Sequence, residues 1–213
     1  MHLEVRYCEL WNSWYYEGVD PIPADEASSL FESTERDFSL SAVVGKTGFF
    51  ERKEQPMFVV RASLSGTQVL VLNNSGSEVQ SYSYRNIDKE RMFLFGYTRH
   101  EYADSSLYTP NSYADRTYKW GFSEDGTFEF ATIVPGTETD WGNVHSGLDT
   151  SILWRERAKF GDWRNLTVVG IIGEAVEGFV GIEWPDVTID DHGRAHVDSA
   201  TDVISVANFP ATD

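Results

Sequence analysis

The chain has 213 residues, with 34 Asp and Glu against 17 Lys and Arg, a formal net charge of −17. That balance excludes a cationic nucleic-acid binder, since such proteins neutralise phosphates with a surplus of Lys and Arg. With 41% hydrophobic and 14% aromatic residues the chain has the apolar material for a core, which excludes a disordered acidic tail.

The first residues run directly into alternating, strand-like sequence with no secretion-signal pattern, so the protein is expected to be cytoplasmic when synthesised, with the virion as its further expected location if it is a particle component. Pro21 and Pro23 then precede one helix, expected over 25–38. Ala27, Leu30, Phe31 and Phe38 are spaced for one helical face, and Asp25 and Glu26 suit the positive N-terminal end. Period-two alternation predicts strands over 57–64 and 67–72, joined as a hairpin at Ser65-Gly66. In the next strand, over 92–99, Phe93, Phe95 and Tyr97 alternate against Met92, Leu94 and Gly96. The stretch 99–118 has weak periodicity and reads as a long irregular loop. Strands over 118–123 and 127–134 flank the turn Glu124-Asp125-Gly126.

Residues 152–160 alternate as a strand that closes a hairpin at Gly161-Asp162, and Asp191-His192-Gly193 joins 187–189 to 195–197 in the same way. About a dozen short strands, one helix and no linker predict a single mainly β domain over 1–213. Its architecture is a β-sandwich or barrel with one short helix.

Several patterns bear on chemistry. Cys8 is the one cysteine, which excludes an internal disulfide. Gly45-Lys46-Thr47 resembles the end of a phosphate loop, but Leu40 stands where that loop needs its first glycine, so a turn is expected. His100-Glu101 lacks a second histidine one helical turn on, Asp104 standing there instead. Asp190, His196 and Asp198, with Asp191 and His192 beside them, form a candidate metal set, imidazole and carboxylate ligands suiting Zn, Mn or Fe. The same residues are ordinary in a solvated acidic turn.

The acidic stretch 124–129 lacks the full spacing of a calcium loop. Asp37, Glu51 and Lys53 follow the order seen in metal-dependent nucleases, without a cationic track to hold DNA. Trp11, Trp14, Tyr15 and Tyr16 are the densest aromatic cluster, a sugar-stacking surface if exposed and core if not. No cofactor is expected, and a metal- or carbohydrate-dependent enzyme is the third reading.

Charge is unevenly spread. Residues 165–213 hold nine acids and one base, and residues 17–37 hold seven acids and one base. Against this background Arg155, Arg157 and Lys159 alternate along the expected strand, and the hairpin would set Arg164 opposite Lys159, with Phe160 and Trp163 as an apolar flank. Like charges facing one another repel unless something anionic covers them. These six residues are therefore the expected interface, and the expected partner is acidic protein surface on copies of this chain or other subunits. No nucleic-acid or membrane contact is expected. The leading reading is a non-enzymatic acidic β-rich assembly subunit making protein–protein contacts, such as a structural component of a viral particle or tail-like conduit, the viral part being analogy. The alternative is an immunity or anti-restriction type inhibitor occupying the basic site of a toxin or nuclease.

Overall fold

The structure, a computed structural model, describes residues 2–33, 38–137, 140–141, 144–163, 166, 187–189, 195–197 and 203–206. In chain order come strands β1 (His2–Asn12) and β2 (Glu17–Pro21), helix α1 (Ala24–Glu32), then β3 (Leu40–Lys46), β4 (Phe58–Ala62), β5 (Gly66–Leu72) and β6 (Glu78–Asn86). They are followed by β7 (Arg91–Glu101), β8 (Arg116–Phe122), β9 (Phe128–Ile133), β10 (Asp140–Trp141), β11 (Trp154–Glu156), β12 (Val187–Ile189), β13 (Ala195–Val197) and β14 (Val203–Val206). The protein is mainly β, as its alternation predicts. No described helix is long and apolar enough to cross a membrane.

Twelve strands form one sheet in the order β10-β9-β8-β7-β6-β5-β4-β3-β1-β14, with β2 added to β1 and β11 to β7 off this path. From β3 to β10 it is an antiparallel meander of sequence neighbours, whereas β14 joins β1 in parallel. The expected second hairpin pairs β12 with β13, Thr188 opposite His196.

The register explains the core. Tyr7, Ala42, Val60, Val69, Tyr82, Tyr97, Trp120 and Phe130 lie in one row across eight strands. All eight belong to, or pack against, a single hydrophobic cluster. A sheet face this wide converges on one cluster by curling around it, consistent with a β-sandwich-like or open-barrel fold. At the aromatic end of the row, Tyr82–Tyr97, Tyr97–Trp120 and Trp120–Phe130 each have ring centroids 5.0 Å apart.

A smaller cluster of Cys8, Trp11, Val43, Phe49, Val59 and Leu70 covers the opposite face, so the middle strands are buried on both sides. The turn after β3 presses Phe49 onto Gly45, where a Cβ would lie 2.6 Å from the Phe49 ring, so only glycine fits there. Burial pushes the Cys8 thiol up to about 12, with Arg61 opposing it weakly, and the thiol is inert at neutral pH.

Four expectations need correction. The helix ends at Glu32 rather than extending to 38. Ser33 turns to extended backbone, and Phe38 reaches Phe31, at 6.4 Å between centroids, from beyond the helix. The alternation of Phe93, Phe95 and Tyr97 is broken by a bulge, because Ser83 faces Gly96 while Tyr84 faces Leu94. The extra residue shifts the period, so Leu94 and Tyr97 share the core face and Phe95 is exposed. The long loop is shorter than 99–118, since β7 runs to Glu101 and β8 starts at Arg116, with a 3-10 turn at Asn111–Tyr113 between them. Finally, the strand expected over 152–160 is a 3-10 turn at Thr150–Leu153 followed by the three residues of β11.

Candidate functional site: a cation-bearing cleft at one end of the sheet

The turn between β6 and β7 is built by Asp88. Its Oδ1 accepts from the backbone N–H groups of Glu90 (2.8 Å) and Arg91 (2.7 Å), and its Oδ2 accepts both Nε (2.9 Å) and Nη2 (2.8 Å) of Arg91. The Glu90 amide and the Arg91 guanidinium hold the Asp88 carboxyl below the usual carboxylate range. Arg91 in turn lies with Cζ 5.0 Å from the Trp154 ring centroid. β11 pairs with this end of β7, Trp154 opposite Phe93 and Glu156 opposite Arg91. The Arg157 N–H then donates to Glu90 O at 2.7 Å, which ties the chain leaving β11 to the turn.

Between this turn, residues 156–159 and the end of α1 lies an open cleft of about 660 Å³. Its lining carries four cations, Lys89, Arg91, Arg157 and Lys159, alongside Glu32, Glu90 and Glu156, with Phe31 and Ala158 as its apolar part. Among the described residues Arg91 is paired with Asp88, whereas Lys89, Arg157 and Lys159 have no carboxylate within ion-pair distance.

Two of the six residues expected at an interface, Arg157 and Lys159, therefore line this cleft. Arg155 does not. It is half-buried in β11 opposite Met92, and its Nη1 donates to Trp154 O at 2.8 Å. Lys159 pairs with Asp162 across a turn whose Gly161 has φ 81°, not with Arg164, which lies outside the described residues. Phe160 and Trp163 form no exposed flank. Phe160 stacks on Tyr7 at 5.0 Å, and Trp163 is fully buried with its Nε1 donating to the Tyr7 hydroxyl at 3.5 Å. Nothing local in the sequence sets Lys89 and Arg91 apart from other surface charges. Only the pairing of β11 with β7 brings them to Arg157.

The other candidates resolve differently. Asp190 and Asp198 lie outside the described residues, and His196 is placed only as a β13 backbone position. Among the described residues no three metal-ligating side chains gather. Lys46 ends β3 and leads into the turn after it, the reading expected for Gly45-Lys46-Thr47. Glu51 bonds Arg6, so it is not a free ligand beside Lys53, and Asp37 lies outside the described residues. Glu124 pairs with Arg85 at 2.9 Å. Of the aromatic cluster, Trp11 is core and Trp14 and Tyr15 are exposed at the tip of the β1–β2 hairpin.

At the opposite end of β7 a buried polar group roots the loop 102–115. His100 Nδ1 meets Thr117 Oγ1 at 2.9 Å and its Nε2 lies 3.6 Å from Glu78 Oε1. Asn111 Nδ2 donates to Glu78 Oε2 at 3.0 Å, and the Tyr102 hydroxyl donates to Glu78 O at 2.6 Å. Burial alone would raise the Glu78 carboxyl. The His100 imidazole, followed by the Ser81 and Asn111 side chains, outweighs it and holds that carboxyl below the ordinary glutamate value. A depressed folded-state value contributes stability above the unfolded value, near ~4.3, that is lost as pH falls through the folded one. Glu78→Gln should therefore cost about 1–3 kcal/mol at pH 7, and the gap to the parent should shrink at pH 3 in urea unfolding. A constant gap would remove the charge from this account.

No protein-family model, curated protein or solved structure matches this chain.

Proposed function

We propose that the protein is a non-enzymatic subunit that binds acidic polypeptide surface in the cleft between α1, the β6–β7 turn and the end of β11, as part of an ordered assembly. One observation carries this reading. In a chain with twice as many acids as bases, Lys89, Arg157 and Lys159 gather at one cleft without an ion pair among the described residues. Glu32, Glu90 and Glu156 line the same cleft, but among the described residues none of them forms an ion pair with these three cations. Charge-assisted hydrogen bonds to carboxylate are among the stronger polar contacts. The apolar Phe31 and Ala158 add desolvated area beside them. The molecule's overall acidity opposes nonspecific anion binding, and screening at physiological salt confines that repulsion to ~8 Å.

The test is fluorescence anisotropy with a labelled hexaglutamate peptide. The parent should bind it in a salt-sensitive way, and the triple variant K89E/R157E/K159E should bind at least ~10-fold more weakly. The control K46E/K53E/K119E, altered at lysines outside the cleft, should bind with an affinity much closer to the parent's. Equal binding by the two triple variants would refute the cleft as the site.

A further inference from the structure

The turn between β6 and β7 closes one end of these strands, and the loop 102–115 joins β7 to β8 at the other. The eleven residues of β7 separate the two ends by about 35 Å. A subunit therefore cannot place its own far end in its own cleft.

That far end exposes large apolar side chains. Trp14 is 59% exposed, Tyr15 65%, Leu107 62% and Tyr113 74%. The segments bearing them are held in place. Asn12 Oδ1 accepts from the backbone N–H groups of Trp14 (3.1 Å) and Tyr15 (3.4 Å), Ser75 Oγ donates to Leu107 O (3.0 Å), and Thr109 N–H donates to Ser77 Oγ (2.8 Å). Trp14 and Tyr108 meet edge to face at 5.3 Å, so hairpin tip and loop form one surface. Residues 7–21 and 101–115 together contain Glu9, Glu17, Asp20, Glu101, Asp104 and Asp115, and no Lys or Arg.

We infer that the acidic polypeptide surface received by the cleft is this far end of a second copy of the chain, giving a head-to-tail contact. The inference rests on the reading of the cleft given under Proposed function and names its partner. Two complementarities support it. Cations with no ion pair among the described residues meet, at the other end, two segments whose charged side chains are all carboxylates, and an exposed indole and phenol meet guanidinium and ammonium groups, which bind aromatic faces. A cleft of about 660 Å³ lies in the range that receives several ring-sized groups. The two surfaces differ, so the contact is heterologous. It continues as an open filament or closes into a ring, according to the rotation between subunits.

Sedimentation velocity across a concentration series tests this with the parent, the cleft variant K89E/R157E/K159E and the tip variant W14S/Y15S. A second tip variant, L107E/Y113E, serves if the first melts early. The parent should form species larger than dimers, and each variant alone should remain monomeric. An equimolar mixture of cleft and tip variants should give a one-to-one dimer and nothing larger, because each pair retains one intact contact between two disabled outer ends. A parent that stays monomeric overturns the inference, as does a tip variant that assembles like the parent or a mixture that stays monomeric. In each of these cases hexaglutamate binding by the cleft decides the underlying function separately.

Discussion

Trp163→Ala is expected to lower the stability of the fold by ~3–5 kcal/mol, the cost of removing a large aromatic from a closed core. Trp163 is fully buried and stands among Tyr7, Phe31 and Phe160, at ring distances of 6.4, 5.4 and 5.9 Å. It joins three separate parts of the chain: β1, α1 and the segment after β11. The cavity left by alanine would also strand the Tyr7 hydroxyl that now accepts from its Nε1. Trp163→Phe keeps most of the ring contacts and loses that hydrogen bond, so a smaller loss, about 1.5 kcal/mol, is expected. Equilibrium urea unfolding measures both. A loss under 1 kcal/mol for alanine would show that the segment does not brace the core. The same variant bears on the cleft, because Phe31 belongs to both Trp163's surroundings and the cleft lining.

The second large effect is expected where charge is buried on the opposite face. Glu4 and Arg6 of β1 are 5% and 3% exposed and form an ion pair at 2.5 Å. Arg6 also reaches Glu51 and sits 4.7 Å from the Phe50 ring centroid, while Glu4 Oε2 accepts from the Gly48 N–H at 2.9 Å. The pair fastens the turn after β3 onto the sheet. Arg6→Met leaves the Glu4 carboxylate buried without its cation, a change that typically costs 3–5 kcal/mol. Removing both charges, in E4Q/R6M, leaves no orphan ion, so the double variant should be more stable than R6M alone. Urea midpoints of the two variants decide this. If the double variant falls below the single one, the pair contributes more than mutual neutralisation.

How much of this was legible in the sequence depended on the range of the contact involved. β4 and β5 were readable from 57–72 because alternation and the turn between them are local, and the turn at Glu124-Asp125-Gly126 was readable for the same reason. The bulge at Phe95 was not, because it is defined by Ser83 and Tyr84 on the neighbouring strand. The stretch from Arg155 to Lys159 alternates convincingly, yet the strand pairing stops at Glu156, which faces Arg91, the first residue of β7. Its charges then divide, Arg155 toward the core side and Arg157 and Lys159 to the cleft. Phe160 and Trp163 look like an exposed flank until Tyr7 and Phe31, distant in sequence, are seen around them. Of the candidate site, Arg157 and Lys159 were visible as a local concentration of positive charge in an acidic chain. Lys89 and Arg91 were hidden in a turn that became part of a cleft only through tertiary pairing.

The central claim, that the cleft engages acidic polypeptide, is tested most directly by zero-length carbodiimide cross-linking of the protein to polyglutamate, with the modified lysines identified by mass spectrometry. The chain has five lysines, two of them at the cleft and three elsewhere. The account predicts that Lys89 and Lys159 dominate the adducts over Lys46, Lys53 and Lys119, and that high salt removes this preference. Adducts spread evenly over all five lysines, or concentrated on the other three, would contradict it.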